Sequence, residues 1–359
     1  MVQPKIKCGV IGAGWWATFA HIPALQGHPD AELVAIQNDN PQEAQKIGED
    51  FGVAFACTTV SELLAIEDIS AIVVSSSPGF HYRDAFAALS LGKNVLIEKP
   101  MTLTVAEAKK LVKIADQHGC QFLISCPWHY TAHAVEAQHL IRHGDVGQIR
   151  MISILMTNPI SDLLRGADTI PTHTNRTPYI HPRAGTYSDP KLAGGGQIYA
   201  QVCHAAAYLT FLTGARPSEV FARFHNDGAA LDIYDTLALR MDDSSIVTIA
   251  STGATSLERK DFEIRVFGTK GMIFLDLWRG KLEFLPLVGE PRTFPDLEED
   301  AVYPHQAPAI NLIDSIRNPS RNQSPAALGV AAMEVIEGAC RSVKSGNNIL
   351  VTSLVEKTV

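Results

Sequence analysis

A chain of 359 residues is too long for one ordinary compact core, so two domains are expected. With 46% hydrophobic and 19% charged residues it has the make-up of a globular protein, and a formal net charge of −8 argues against nucleic acid or an anionic membrane surface as a main partner. Cys8, Cys57, Cys120, Cys126, Cys203 and Cys340 form no CxxC or paired pattern and read as thiols of a reducing compartment; no signal peptide fits ahead of Lys5 and no apolar run spans a bilayer, so the chain is expected in the cytoplasm.

The first third alternates short apolar runs with helical patterns, the mark of a parallel sheet built from βα units. "IKCGVIG" is a strand entering a glycine turn, and "ELVAIQN" is the next. A helix then starts at "NPQE", with Asn40 as cap, Pro41 at the first helical position and Glu43 reaching back. "AIVVSSS" and "NVLIEKP" follow, with a helix from about His81 to Leu91 between them. "TVAE" is a capping box at Thr104 and Glu107, opening a helix that buries Ala108, Leu111, Val112 and Ala115; "QFLIS" closes the series near residue 125.

Beyond residue 150, "EVFARFHN", "TLALRM", "SIVTIAS", "FEIRVFG" and "GMIFLDL" read as half-buried strands joined by the turns "MDDSS" and "GTKG", an antiparallel sheet. Leu328, Ala332, Val335, Ile336, Ala339 and Val343 form a helical stripe started by Ser324-Pro325 and ended near Gly346. Residues 158–193 fit neither pattern and read as a lid or binding loop.

Gly12, Gly14 and Ala17 form GxGxxA between a strand and a helix, with Trp15 and Trp16 inside the motif. The first glycine permits the tight turn, the second lets backbone approach a pyrophosphate, and the small third residue lets helix and strand pack closely, so the turn reads as a dinucleotide cradle. At the end of the second strand Asn38 can bond a ribose hydroxyl and Asp39 would repel a 2′-phosphate; no Lys or Arg precedes Lys46 to clamp one, which favours NAD over NADP. Glu98, Lys99 and Pro100 sit at the carboxyl end of a parallel strand, where such sheets place ligands, although Glu98 and Lys99 also read as an ordinary surface pair. Beside a nicotinamide, Lys99 is suited to relay a hydroxyl proton or to donate to a developing alkoxide.

GxGxxA, "SPGFH" before a helix, "GKNVLIEKP" and "GTKG" between strands together resemble the Gfo/Idh/MocA family, the glucose–fructose oxidoreductase and inositol dehydrogenase group, over nearly the whole chain. The resemblance implies an α/β protein: an N-terminal Rossmann domain with a parallel sheet, placed at 1–125, and a C-terminal α/β domain with a large open, mainly antiparallel sheet, placed at 126–359. It implies hydride transfer at a secondary alcohol of a sugar, cyclitol or related polyol, and a homodimer or homotetramer through the open sheet. Lys99 matches the family's catalytic lysine; Ser76, Ser77 and Pro78 are implied to line the cofactor near the nicotinamide ribose, with His81 in the same turn and Glu98 beside it.

In "GGGQIYAQVCH", residues 194–204, His204 matches a histidine that exchanges the substrate proton, and Ala200 stands where the family often has an aspartate. The glycines are expected to admit substrate and nicotinamide close to the backbone, leaving helix N-terminal amides free for hydroxyls. His204 is the expected acid or base, against the plainer account of a satisfied core histidine; Gln201, or Gln197 on the same helix face, would position hydroxyls, and Tyr199 would pack. Arg183 and Tyr187 complete the expected substrate set, with Arg165, Asn175, Arg176 and His181 as further lid partners; no metal site is expected, since His173 and His181 lack ligand spacing. The missing aspartate leaves two alternatives to a dehydrogenase: a glycosidase using transient oxidation by bound NAD, and a nicotinamide-sensing regulator.

Overall fold

The computed structural model describes residues 3–167, 178–183, 185–257 and 259–354. Six strands form the first sheet: β1 (Ile6–Ile11), β2 (Ala31–Gln37), β3 (Phe55–Cys57), β4 (Ile69–Val74), β5 (Asn94–Ile97) and β6 (Phe122–Ile124). Their order is β3-β2-β1-β4-β5-β6, all parallel, so the chain reverses direction of winding between β1 and β4 and opens a crevice at their carboxyl ends. Helices cover both faces, which is why β1 and β4 read as near-continuous apolar runs. The short β3 and the helix Val60–Leu64, capped by Thr59 and Glu62, carry too little periodicity to stand out in the sequence.

The caps are placed as expected, with one change. Asn40 accepts from the amides of Gln42 and Glu43, and Thr104 and Glu107 form the reciprocal box. Glu43, however, accepts from the side-chain amides of Asn38 and Asn40, while the Asn40 amide is taken by Asn38.

The second sheet has nine strands: β7 (Ile149–Thr157), β8 (Pro217–His225), β9 (Tyr234–Met241), β10 (Ile246–Thr252), β11 (Asp261–Gly268), β12 (Gly271–Asp276), β13 (Lys281–Pro286), β14 (Arg292–Thr293) and β15 (Ile349–Leu350). Neighbours pair antiparallel except β7 and β10, whose parallel pairing makes the sheet mixed. The strict alternation of β9 buries one face of the sheet, and the helix Ala326–Ser345 packs on β8 and on the helix Cys203–Thr213, with its Gly338 directly on Val220. The long helix ends at Gly346 with φ +72°, as the stripe and its glycine predict. Met151, Leu155, Tyr234 and Ile246 stand exposed on the opposite face.

A division at residue 125 needs one amendment. The helix Ala307–Arg317 buries Ala309, Leu312 and Ile313 in the first domain's core, beside Ile6, Leu25 and Leu123. Its apolar face completes a Rossmann layer that the first 125 residues leave open, so the chain returns to its starting domain before the last long helix. No helix among the described residues is long and apolar enough to cross a membrane, and the six cysteines are unpaired.

Candidate active site

One cavity of about 750 Å³ runs from Asp39 and Glu43, past Gly12, Gly14 and residues 75–78, to Lys99, His204 and the second domain. Gly12 has φ +77°, and a Cβ there would stand 2.3 Å from the Ser76 amide nitrogen, so only glycine lets the β1 and β4 turns touch. A Cβ on Gly14 would meet nothing nearer than 4.0 Å, which leaves its surface facing the cleft. This cradle at the switch point, continuous with the lysine, fits a nicotinamide dinucleotide along its length.

Two residues at the far end differ from expectation. Asn38 is buried, its amide donating to the Ala13 carbonyl and Glu43 and its oxygen accepting from Asn40 and Arg183; it ties the turn together and is not free for a ribose. The acids that face the cleft there are Asp39 and Glu43. Arg183 is not beside the substrate residues: the segment 178–183 crosses to the Rossmann domain, where Arg183 pairs with Asp39 and Glu43 and Tyr179 bonds Lys46 and Asp50. A cation therefore does stand beside the acids at the end of β2, reached from 144 residues away and invisible in the local sequence.

Near Lys99 the carboxylate of Glu98 is fully engaged. Its Oε1 accepts from the indole of Trp16 (2.7 Å) and from His21 (2.8 Å), and its Oε2 from the Lys99 amide (3.1 Å). Burial alone would raise its pKa, but the His21 bond and charge, with Lys99, hold it down at about 2, so Glu98 is an anchored anion rather than an acid–base group. Trp15 donates to the Tyr187 hydroxyl at 3.1 Å, and burial pushes that phenol up to about 12, keeping it neutral. Trp15, Trp16, Glu98 and Tyr187 all line the cavity, with their polar atoms partly spent on one another.

His81 is buried with its ring nitrogens 2.7 Å from the carbonyls of Ser76 and Pro100, bracing the two turns that carry Ser77, Pro78 and Lys99. Burial lowers its pKa, which suits a brace more than a proton carrier. Ser76 in turn donates to the buried Asp84 at 2.7 Å.

The stretch 194–204 behaves differently from a plain helix start. Gly194 and Gly195 lie under the Tyr199 ring, where added Cβ atoms would come within 2.7 and 2.6 Å; at Gly196 one would meet the Asp232 carbonyl oxygen at 2.0 Å. The glycines thus serve close packing of the chain on itself, not approach by a ligand, although Gly195 does line the cavity. The amides are not free either: Gly196 and Ile198 donate to the two Asp232 oxygens at 2.9 and 2.7 Å, and Gln197 donates to its carbonyl at 2.9 Å.

Residues Ile198–Val202 form a π-helical turn before the helix Cys203–Thr213. The wider turn breaks the 3.6-residue register, so Gln197 is not on the face of His204. It is wholly buried and donates to Asn158 and Ser251, while Ala200, Gln201 and His204 line the cavity. Tyr199 packs, its hydroxyl donating to the Leu103 carbonyl at 3.0 Å.

Lys99 Nζ donates to the Ala200 carbonyl at 3.1 Å, one turn from His204. The His204 ring stands edge-on to Trp128 at 5.0 Å, with Nδ1 buried and unpartnered. Burial first, then the Lys99 charge, holds its pKa well below 6.5, so the imidazole is neutral at physiological pH and is not tuned to titrate there.

The sequence gives little warning of the wall beyond. Trp128 packs on Trp278 (5.1 Å) and Tyr303 (4.7 Å), and Lys260 lies 4.6 Å from the Trp278 ring centre; all four line the cavity. They come from four separate segments with no shared spacing. His181, Asn158, Ile160 and Leu163 line it too, whereas Arg165 turns away to Asp227 (2.7 Å). His173, Asn175 and Arg176 lie outside the described residues. Among those described, no group of three metal-ligating side chains converges.

Fold and site together define a Rossmann-type dinucleotide-binding domain joined to a second α/β domain at one cleft. Residues 6–125 match the model of an oxidoreductase family with an NAD-binding Rossmann fold, and residues 134–274 match the GFO/IDH/MocA C-terminal domain; the chain belongs to the Gfo/Idh/MocA family. An uncharacterized oxidoreductase from Synechocystis sp. is 30% identical over 216 residues, 60% of this chain and 53% of that one, so the chain spans about half the length of this curated relative. A 1,5-anhydro-D-fructose reductase from Ensifer adhaerens is 25% identical over 74% of both chains. The fold also matches a levoglucosan dehydrogenase solved with NADH and levoglucosan, at TM-score 0.81, 16% identity, and coverage of 97% of this chain and 99% of that one.

Proposed function

We propose that this protein transfers a hydride between a nicotinamide cofactor and a secondary alcohol or ketone of a sugar, cyclitol or related polyol. The observation that carries it is the meeting of Lys99 and the His204 turn at the junction of the dinucleotide cleft and an aromatic-walled compartment. The bound cofactor supplies the hydride donor or acceptor. Lys99 offers an N–H to the reacting oxygen, and neutral His204 accepts or returns the hydroxyl proton in a space that Trp128 and Tyr303 help to keep dry. The aromatic faces suit the C–H faces of a sugar ring. Net NADH formation with a panel of sugars, cyclitols and anhydrosugars tests the assignment; sugar release without net cofactor turnover would point instead to hydrolysis through transient oxidation.

NAD is the preferred cofactor in this reading, because Asp39 and Glu43 together outweigh the single guanidinium of Arg183 at the ribose end. The exposed apolar face carrying Met151, Leu155, Tyr234 and Ile246 supports a homodimer or homotetramer built through the second sheet, which a solution mass from light scattering would resolve.

A further inference from the structure

The substrate compartment has an uneven charge. Of the described residues that line it, Lys99 and Lys260 are cations. The one described carboxylate at this end, Glu98, has both oxygens engaged by Trp16, His21 and the Lys99 amide. Ala200 occupies the position where a family aspartate would add a negative charge, and it lines the same wall. Among the described residues no carboxylate offsets Lys260. Its ammonium makes no ion pair or hydrogen bond with any described residue and rests on the face of Trp278, 4.6 Å from the ring centre. Its neighbour Asp261 is no counter-ion for it, being held by Thr157, Arg259 and Arg279.

An ammonium that is half-buried with no carboxylate partner among the described residues costs desolvation, and a binding compartment tolerates that cost when a ligand supplies the missing charge. We propose that the substrate carries an anionic group, a carboxylate or a phosphate, which pairs with Lys260 while its ring rests on Trp128, Trp278 and Tyr303 and its reacting carbon faces Lys99 and His204. This deepens the oxidoreductase assignment and rests on it for the reacting end. Contact runs without a gap from Lys260 to His204: Lys260 to Trp278, Trp278 to Trp128 at 5.1 Å, Trp128 to His204 at 5.0 Å.

The test pairs acidic sugars with their neutral twins: glucuronate and glucose 6-phosphate against glucose, galacturonate against galactose. Quenching of NADH fluorescence in the loaded full-length protein reads binding, and NAD reduction reads turnover. We expect an acidic twin to bind at least tenfold tighter, the preference to fall to within about twofold in Lys260→Met, and Lys260→Arg to keep it. Whichever of uronate and phosphate gains more identifies the anion. Equal binding of acidic and neutral twins, or a preference that survives Lys260→Met, overturns the proposal. The two assignments fail separately. Turnover of neutral sugars with no acid preference removes the anion site and keeps the oxidoreductase. Lys260-dependent acid binding with no turnover of any sugar keeps the anion site and removes the oxidoreductase.

Discussion

Lys99 and Ala200, from opposite domains, are joined by a 3.1 Å hydrogen bond from the lysine ammonium to the alanine carbonyl. The bond aims the lysine across the mouth of the compartment, one turn from His204. Lys99→Met should therefore lower kcat by about 10²- to 10⁴-fold, the range for a positioned proton donor or acceptor. NADH affinity, read by fluorescence titration, should change less than threefold, because the cradle at Gly12 and Gly14 is separate. A parallel loss of cofactor affinity would recast Lys99 as a cofactor ligand.

For His204 the sign of the pH effect follows from its lowered pKa. The unfolded chain binds a proton near pH 6.5 and the folded one only at lower pH, so folding stability contributed by the neutral ring is present above 6.5 and lost as pH falls below it. His204→Asn should cut turnover at least a hundredfold and make the melting temperature less sensitive to pH between about 6.5 and 5. A kcat/KM profile of the native enzyme with an acid limb abolished by that variant and centred near 6.5 would contradict the burial.

Asp232 should act on catalysis through position alone. Asp232→Ala removes both carboxylate bonds to the helix start, a capping loss of about 1–2 kcal/mol, and loosens the turn that carries His204. Calorimetry should show the lower melting temperature, and kcat should fall while the pH dependence keeps its shape. Rescue by Asp232→Asn, which keeps an acceptor, separates positioning from charge.

Removing Arg183 exposes Asp39 and Glu43 to whatever occupies the ribose end. Arg183→Ala should lower kcat/KM for NADP more than for NAD, raising the NAD:NADP ratio by about tenfold, since one charge at close range is worth roughly 1–2 kcal/mol at a partly exposed site. An unchanged ratio would place the 2′ position elsewhere.

Burial lowers the Lys260 pKa to about 8. The ammonium is charged below that value and neutral above it, so affinity for an acidic sugar should hold to about pH 8 and then drop by up to tenfold per pH step, while a neutral twin shows no such break. Binding titrations from pH 6 to 10 check this.

What could be read from the sequence was local. Gly12, Gly14 and Ala17, the caps at Asn40 and Thr104, and Lys99 after β5 all depend on neighbours within a few residues, where spacing translates directly into geometry. The rest depended on chain crossings. Asp232 meets Gly196 across 36 residues and Arg183 meets Asp39 across 144, and neither pairing has a periodic signature. Trp128, Trp278, Tyr303 and Lys260 share no spacing in the chain and meet only through topology. Gln197 falls off the His204 face because a π-helical turn adds a residue that no 3.6-residue template contains.

The helix Ala307–Arg317 also decides where the chain can be cut. Because the chain leaves its first domain, comes back, and leaves again, a fragment ending near residue 125 would carry the dinucleotide turns yet leave Ile6, Leu25 and Leu123 without the helix that covers them.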